Sequence, residues 1–164
     1  MSSVILSISD IDPDKLVIVK CRPAIQFDRL LAETKRIAGR WHALQLFSAD
    51  SIMSREHLAW AYANALNVVM EKSEIASTLS LEVLLFAAMS KQIDESISKV
   101  GAIEGKDIVA FAENKKIFGL ISKYLKDIKE FCPAGSDSDS AAHKLGLAKY
   151  DVGLMKSAMT LSRI

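Results

Sequence analysis

The chain has 164 residues, half of them hydrophobic, which suits one globular domain with a sizeable core. Its 21 basic and 20 acidic residues leave a net charge of +1, which excludes an overall electrostatic footprint for nucleic acid or an anionic membrane. Any contact with RNA must therefore be local.

The two cysteines, Cys21 and Cys132, are too few for a disulfide framework and lack the spacing of a zinc site. No apolar run approaches the roughly 18 residues of a membrane span, and the first residues form too short an apolar pattern for a signal peptide. We therefore expect residues 1–164 to form a single cytoplasmic domain without a membrane partner.

Strand and helix signals alternate in the first half of the chain. Residues 4–8 and 16–21 are short β-branched runs separated by turn residues, and both predict strands. Residues 41–47 are predicted as a further strand. Pro23 suits the first turn of a helix whose apolar face ends at Gly39. A second helix is predicted by a continuous apolar stripe of Leu58, Ala61, Tyr62, Ala65, Leu66 and Val69.

The centre of the chain predicts a buried helix. Between residues 81 and 89 only Glu82 interrupts the apolar residues, and a helix that is hydrophobic on all sides must be covered on all sides. Ser90 is a good N-cap for a following helix, which Gly101 would end.

The last third of the chain predicts one more strand, at 107–112, and two helices. Asn114 would cap a helix with one apolar side formed by Ile117, Leu120, Ile121, Tyr124, Leu125 and Ile128. Residues 132–140 are rich in Ser and Asp and predict a mobile surface loop, and a last helix begins at Asp151. The expected fold class is mixed α/β, with a small, mostly antiparallel sheet against a helical layer that contains the central helix.

No catalytic or metal-binding motif is present. His42, His57 and His143 form no close pair, and the chain has no glycine-rich phosphate loop, so we expect neither a metal nor a cofactor. Asp137 and Asp139 could be offered as magnesium ligands, but alternating Asp and Ser is more typical of a solvated loop.

Glu82 has two interpretations, because an ionised group inside an apolar helix costs several kcal/mol unless it is paired or hydrogen-bonded. It can face a helix N-terminus or a basic neighbour, or it can hold the turn of Lys91 and Gln92 in place. Ser90, Lys91 and Gln92 stand where amide donors open a helix and could receive a phosphate, although an ordinary turn between helices is the simpler alternative.

The last helix also has two interpretations. Met155, Ala158 and Met159 share one face with Val152 and Ser162, which can be core or can receive another protein, and methionine suits both settings. Leu154 and Leu161 lie on its flank and widen the apolar surface.

A resemblance to a known family appears around the central helix. Thr78-Leu79-Ser80 with Glu82, then Lys91-Gln92-Ile93, a short helix ending in Val100-Gly101, and a strand from Ile108 resemble the small kinase-binding subunit of the KEOPS (EKC) complex, called PRPK-binding protein in animals. That family has Leu-Ser-x-Glu-Ile-Leu, a polar turn with Gln-Ile or Asn-Ile, and a helix ending in Phe-Gly-Ile. Here Val100 replaces the Phe, and Ala102 lies between Gly101 and Ile103.

The resemblance implies a non-catalytic regulatory subunit. In the family, the complex modifies an adenosine of tRNA to threonylcarbamoyladenosine, and this subunit binds the atypical small kinase that acts as an ATPase. In archaeal members it also helps to recruit tRNA by holding the 3′ CCA end, and no DNA partner is expected. We accordingly predict kinase binding by Leu154, Met155, Ala158, Met159 and Leu161, tRNA binding by Ser90, Lys91 and Gln92, and support of that turn by Glu82. The alternative from another class is a small-molecule enzyme with a site built from His57, Glu82 and Lys91.

Overall fold

A computed structural model describes residues 11–12 and 14–163. The elements of this part of the chain are, in order, β1 (Val17–Pro23), α1 (Phe27–Ala38), β2 (Leu44–Ser48), α2 (Arg55–Met70), α3 (Leu79–Ala88), α4 (Ile93–Val100), β3 (Ile108–Ala112), α5 (Lys115–Ile121), β4 (Leu125–Glu130), α6 (Gly135–Lys144) and α7 (Val152–Leu161). The predicted strand at 4–8 lies outside the described residues.

The four described strands form one antiparallel sheet in the order β2-β3-β1-β4. β3 lies inside the sheet and all five of its residues are buried, as expected for a strand covered on both faces. Val109 and Phe111 point to one face, while Ile108, Ala110 and Ala112 point to the other. The predicted mixed α/β fold with a small antiparallel sheet is confirmed.

Helices cover both faces of the sheet. On one face, Leu30 of α1 and Ile117 of α5 pack with Cys21 and the smaller cluster of buried residues. On the other face, α2, α3, α6 and α7 enclose the larger cluster, in which Tyr62 lies against Phe111 with ring centroids 5.4 Å apart. Two apolar cores therefore share a single sheet between helical layers.

The predicted central helix is confirmed as α3. Nine of its ten residues are buried, including Glu82. The Thr78 hydroxyl accepts a hydrogen bond from the Leu81 amide and caps the helix. α3 ends at Ala88, and the next residue, Met89, has a φ of 56°, in the left-handed region that commonly stops helices.

The prediction of one helix from Asn114 through Ile128 was wrong beyond Ile121. Asn114 does cap α5 by accepting a hydrogen bond from the Ile117 amide, but α5 ends at Ile121 and residues 125–130 form β4. β4 pairs with β1, about a hundred residues earlier, so its backbone is satisfied by partners that a local apolar pattern does not reveal.

The prediction of a mobile loop at 132–140 was also wrong, because most of that segment belongs to α6. Ser138, Ala141 and Ala142 are buried, and the Ser138 hydroxyl donates a 2.7 Å hydrogen bond to the Met53 carbonyl. Asp137 lies in the first turn, where a negative charge favours a helix. Packing therefore overrides the low helix propensity of Ser, Asp and Gly.

Candidate functional site

The five predicted kinase-binding residues on α7 fall into two sets, one buried and one facing outward. Met155 and Met159 are fully buried in the larger core cluster, where α7 packs against α2. Leu154 and Leu161 are 46% and 66% exposed, and Ala158 is half-buried. Since 154, 158 and 161 recur at a spacing of four and three, they form one outward stripe on the helix, named here the α7 stripe.

The beginning of α7 is fixed to the rest of the domain. The Asp151 carboxylate caps the helix by accepting a hydrogen bond from the Leu154 amide at 3.0 Å, as its sequence position predicted. The preceding Tyr150 places its hydroxyl 2.8 Å from the hydroxyl of Ser54, the N-cap of α2. Along the helix, the Lys156 ammonium lies 4.2 Å from the centroid of the Trp60 ring.

The end of α7 is fixed through Glu82. One oxygen of the buried Glu82 carboxylate accepts hydrogen bonds from the amides of Ile75 and Ala76, and the other lies 2.8 Å from Arg163 Nη2. The Arg163 guanidinium also lies 4.3 Å from the centroid of the Phe86 ring. With both ends held, the α7 stripe is a preorganised surface, which lowers the entropic cost of binding a partner.

Glu82 therefore has the basic neighbour of the first interpretation. Within the described residues, its carboxylate accepts hydrogen bonds from the 75–76 segment and pairs with Arg163, not with the turn of Lys91 and Gln92. This arrangement gives no support to Glu82 as the residue that holds that turn.

The turn at 90–92 has one buried and two exposed residues. The buried Ser90 hydroxyl donates to Glu95 at 3.0 Å and accepts from the Gln92 amide at 3.1 Å. Gln92, not Ser90, is the N-cap of α4, because the buried serine is occupied in closing the turn. Lys91 and Gln92 are exposed beside each other. Asp94 and Glu95 fill the first turn of α4, so their negative charge opposes a phosphate there.

His57 and Glu82 do not form an open catalytic site. The buried His57 ring accepts a hydrogen bond from the Met53 amide at Nδ1, and its Nε2 lies 2.9 Å from the Ala87 carbonyl. Burial lowers the pKa of His57 to about 4, which keeps the ring neutral near pH 7. Both residues are thus engaged inside the core, while Lys91 lies at the surface.

The comparisons with known proteins give a family. The sequence profile described as kinase binding protein CGI-121 matches residues 29–140, which is more than half of the chain. The chain belongs to this family. A search of curated proteins finds no match. The match confirms the resemblance drawn from residues 78–108.

The part matched to the CGI-121 family runs from α1 into α6 and ends before α7. It includes the whole sheet apart from β1, together with the central helix. The assignment of kinase-binding residues to α7 thus stays a prediction, carried by the exposed apolar residues of the helix itself.

Sequence reasoning missed two concave surfaces of this CGI-121 family member. An apolar cavity of about 490 Å³ lies between α1, β2, α3 and α4, and a polar groove of about 530 Å³ lies where β1 meets β4. Each is lined by residues from several separate elements, so no local pattern marks it. Lys126 and Lys129 were the sequence signal for the second surface, but their partners on β1 depend on the pairing of β4.

Within residues 11–12 and 14–163, the structure contains no group of three or more His, Cys, Asp or Glu side chains that could hold a metal ion. In the same residues no helix is long and apolar enough to cross a membrane.

Proposed function

We propose that this chain is a non-catalytic regulatory subunit of a KEOPS-type complex in the cytoplasm. It binds and supports the atypical small kinase and helps to recruit tRNA for threonylcarbamoyladenosine modification. The observation that carries the proposal is the α7 stripe, an exposed apolar row on a helix anchored at both ends, in a chain of a kinase-binding family.

The stripe supports a helix-in-groove contact with the kinase. Leu154 and Leu161 lie about two turns apart on one side of α7, a spacing at which a helix presents anchors to a groove on a partner. Met155 and Met159 stabilise the helix from beneath and do not reach the partner surface. Fewer residues are accordingly expected to contribute to kinase binding than the five predicted from sequence.

Introducing negative charges on the stripe tests the kinase contact. In the variant Leu154→Glu/Leu161→Glu, both leucines are already solvent-exposed, so the melting temperature should stay close to that of the wild type. Kinase affinity should fall at least about 30-fold, since central interface residues contribute roughly 2 kcal/mol or more. The assay is isothermal titration calorimetry with the purified small kinase.

Leu120→Glu is the control for one such substitution at an exposed leucine. Leu120 is 50% exposed, like Leu154, but it lies on α5, on the other helical layer. Its substitution should leave affinity unchanged. Full affinity of the Leu154→Glu/Leu161→Glu variant, with a wild-type melt, would remove α7 from the proposal.

For tRNA, the proposal retains the turn of Ser90, Lys91 and Gln92 as the contact with the 3′ end. The exposed Lys91 ammonium and Gln92 amide would contact phosphate and base, while Ser90 shapes the turn. Binding of intact tRNA and of tRNA lacking its CCA end should be compared in the wild type and in Lys91→Glu. Equal affinity in all four combinations would contradict this contact.

A further inference from the structure

Four basic residues meet where β1 pairs with β4. In the antiparallel register, Lys20 lies directly opposite Lys129, and Arg22 lies opposite Lys126. Like charges directly opposite each other on adjacent strands destabilise a sheet. Two such pairs in succession therefore destabilise the folded sheet. An anionic ligand that contacts these residues would reduce their repulsion.

The carboxylate nearest to these residues neutralises only part of their charge. Asp107 lies 3.3 Å from Lys20 Nζ and 2.8 Å from Arg22 Nε, and these ion pairs lower the pKa of Asp107, with the Arg22 hydrogen bond as the largest cause. Lys126 and Lys129 are exposed and form no ion pair with any residue that the structure describes. The groove of about 530 Å³ where β1 meets β4 is lined by three of these basic residues, Lys20, Arg22 and Lys129, and by two carboxylates, Asp107 and Asp127.

The spacing of the two pairs suits a phosphate backbone. Lys20 and Arg22 are two residues apart on β1, which spans about 6.6 Å along a strand. Successive phosphates of a nucleic-acid strand are likewise several ångström apart, so the two pairs can contact different phosphates of the same strand.

Features of β4 itself argue against an extended acidic peptide as the partner. Such a peptide would add to the outer edge of β4, the last strand of the described sheet. A register shift between Lys20 and Arg22, together with a φ of 54° at Asp127, breaks the regularity of that edge. Lysines and irregularities of this kind protect an edge strand from pairing with another chain.

From these observations we infer that Lys20, Arg22, Lys126 and Lys129 form a binding surface for the phosphate backbone of RNA. This surface, named here the β4 basic edge, is separate in sequence and in secondary structure from the turn at 90–92. The inference deepens the proposed tRNA role and rests on it: the turn would contact the 3′ end, while the β4 basic edge would contact phosphates elsewhere without reading sequence.

The test is the variant Lys126→Glu/Lys129→Glu of the full chain, titrated into a fluorescently labelled tRNA transcript at several salt concentrations. Affinity should fall at least about tenfold at 100 mM salt, and the slope of log K against log salt should become shallower by about two. Because the new carboxylates face Arg22 and Lys20, the melting temperature should equal or exceed that of the wild type. Weaker binding together with an undiminished melt separates this surface from a structural role.

Two comparisons identify the source of any effect. The matched control Lys72→Glu/Lys149→Glu makes the same change in net charge at exposed lysines outside the groove and outside β4, and it should bind nearly as well as the wild type. The loss caused by Lys126→Glu/Lys129→Glu should be the same for intact tRNA and for tRNA lacking its CCA end. A loss from Lys91→Glu should appear only with the intact end.

Several results would overturn the inference. Wild-type affinity of Lys126→Glu/Lys129→Glu would do so while leaving the 3′-end contact standing, if Lys91→Glu still weakens binding. Equal weakening in the Lys72→Glu/Lys149→Glu control would show a general charge effect, and displacement of tRNA by polyglutamate at equal charge concentration would favour an acidic polypeptide. Absence of tRNA binding by the wild type would overturn both RNA contacts, whereas the kinase contact is measured separately on α7.

Discussion

Removing the Glu82 carboxylate tests whether its ion pair with Arg163 holds the end of α7 against the central helix. In the native structure this carboxylate accepts hydrogen bonds from the amides of Ile75 and Ala76 and pairs with Arg163. Glu82→Ala leaves the Arg163 guanidinium, whose side chain is only 12% exposed, without its counter-charge. It also leaves the buried Ala76 amide without an acceptor.

The loss of stability in Glu82→Ala depends on whether Arg163 and the Ala76 amide can reach water. Loss of one partner of a buried ion pair costs about 3–5 kcal/mol, but Arg163 lies in the turn after α7 and can move toward water. The Ala76 amide cannot move in this way, and an unsatisfied buried donor costs about 1–3 kcal/mol. We therefore expect Glu82→Ala to lower the free energy of unfolding by about 3 kcal/mol, which is roughly 6–12 °C in melting temperature for a chain of this length.

Urea denaturation followed by circular dichroism measures this change in Glu82→Ala, Arg163→Met and the double variant. The two single effects should not add, and their coupling energy should lie between about 0.5 and 3 kcal/mol. Glu82→Gln is the control that keeps the shape of the side chain but removes its charge. A loss below about 1 kcal/mol in Glu82→Ala, or additive single effects, would refute the role of this pair as the anchor of α7.

Three further predictions concern the core, α7 and catalysis. Burial lowers the pKa of His57 from 6.5 to about 4, so between these pH values the unfolded chain binds a proton that the folded chain does not. The free energy of unfolding should therefore fall by up to about 3 kcal/mol as the pH drops from 6.5 to 4. Urea titrations of His57→Gln should lack this pH-dependent loss of stability. Met155→Glu should lower the melting temperature sharply because the new charge would be buried, whereas Leu154→Glu should not, and equal melts by calorimetry would contradict the assigned faces of α7. The purified chain should not hydrolyse ATP or transfer a group in a steady-state assay, and turnover that persists in a partner-free preparation would reject a non-catalytic role.

The proposed sites were predicted from sequence only in part. The apolar character of α7 was evident, but spacing alone placed Met155 and Leu154 in one candidate surface, and only packing against α2 separates the buried residue from the exposed one. For the β4 basic edge, the sequence contained Lys126 and Lys129 but predicted a helix there. Their positions opposite Arg22 and Lys20 follow from strand pairing over a long sequence separation.

The sequence by itself determined those elements whose signal is local. The apolar run of α3 and the capping residues Asn114 and Asp151 act within one or two helical turns, so their effects could be predicted without a structure. Only the tertiary structure decided that residues 125–130 form a strand and that Ser138 belongs to a helix. In those segments the backbone conformation is stabilised by hydrogen bonds and burial against distant residues, and these outweigh the small free-energy differences of local propensity.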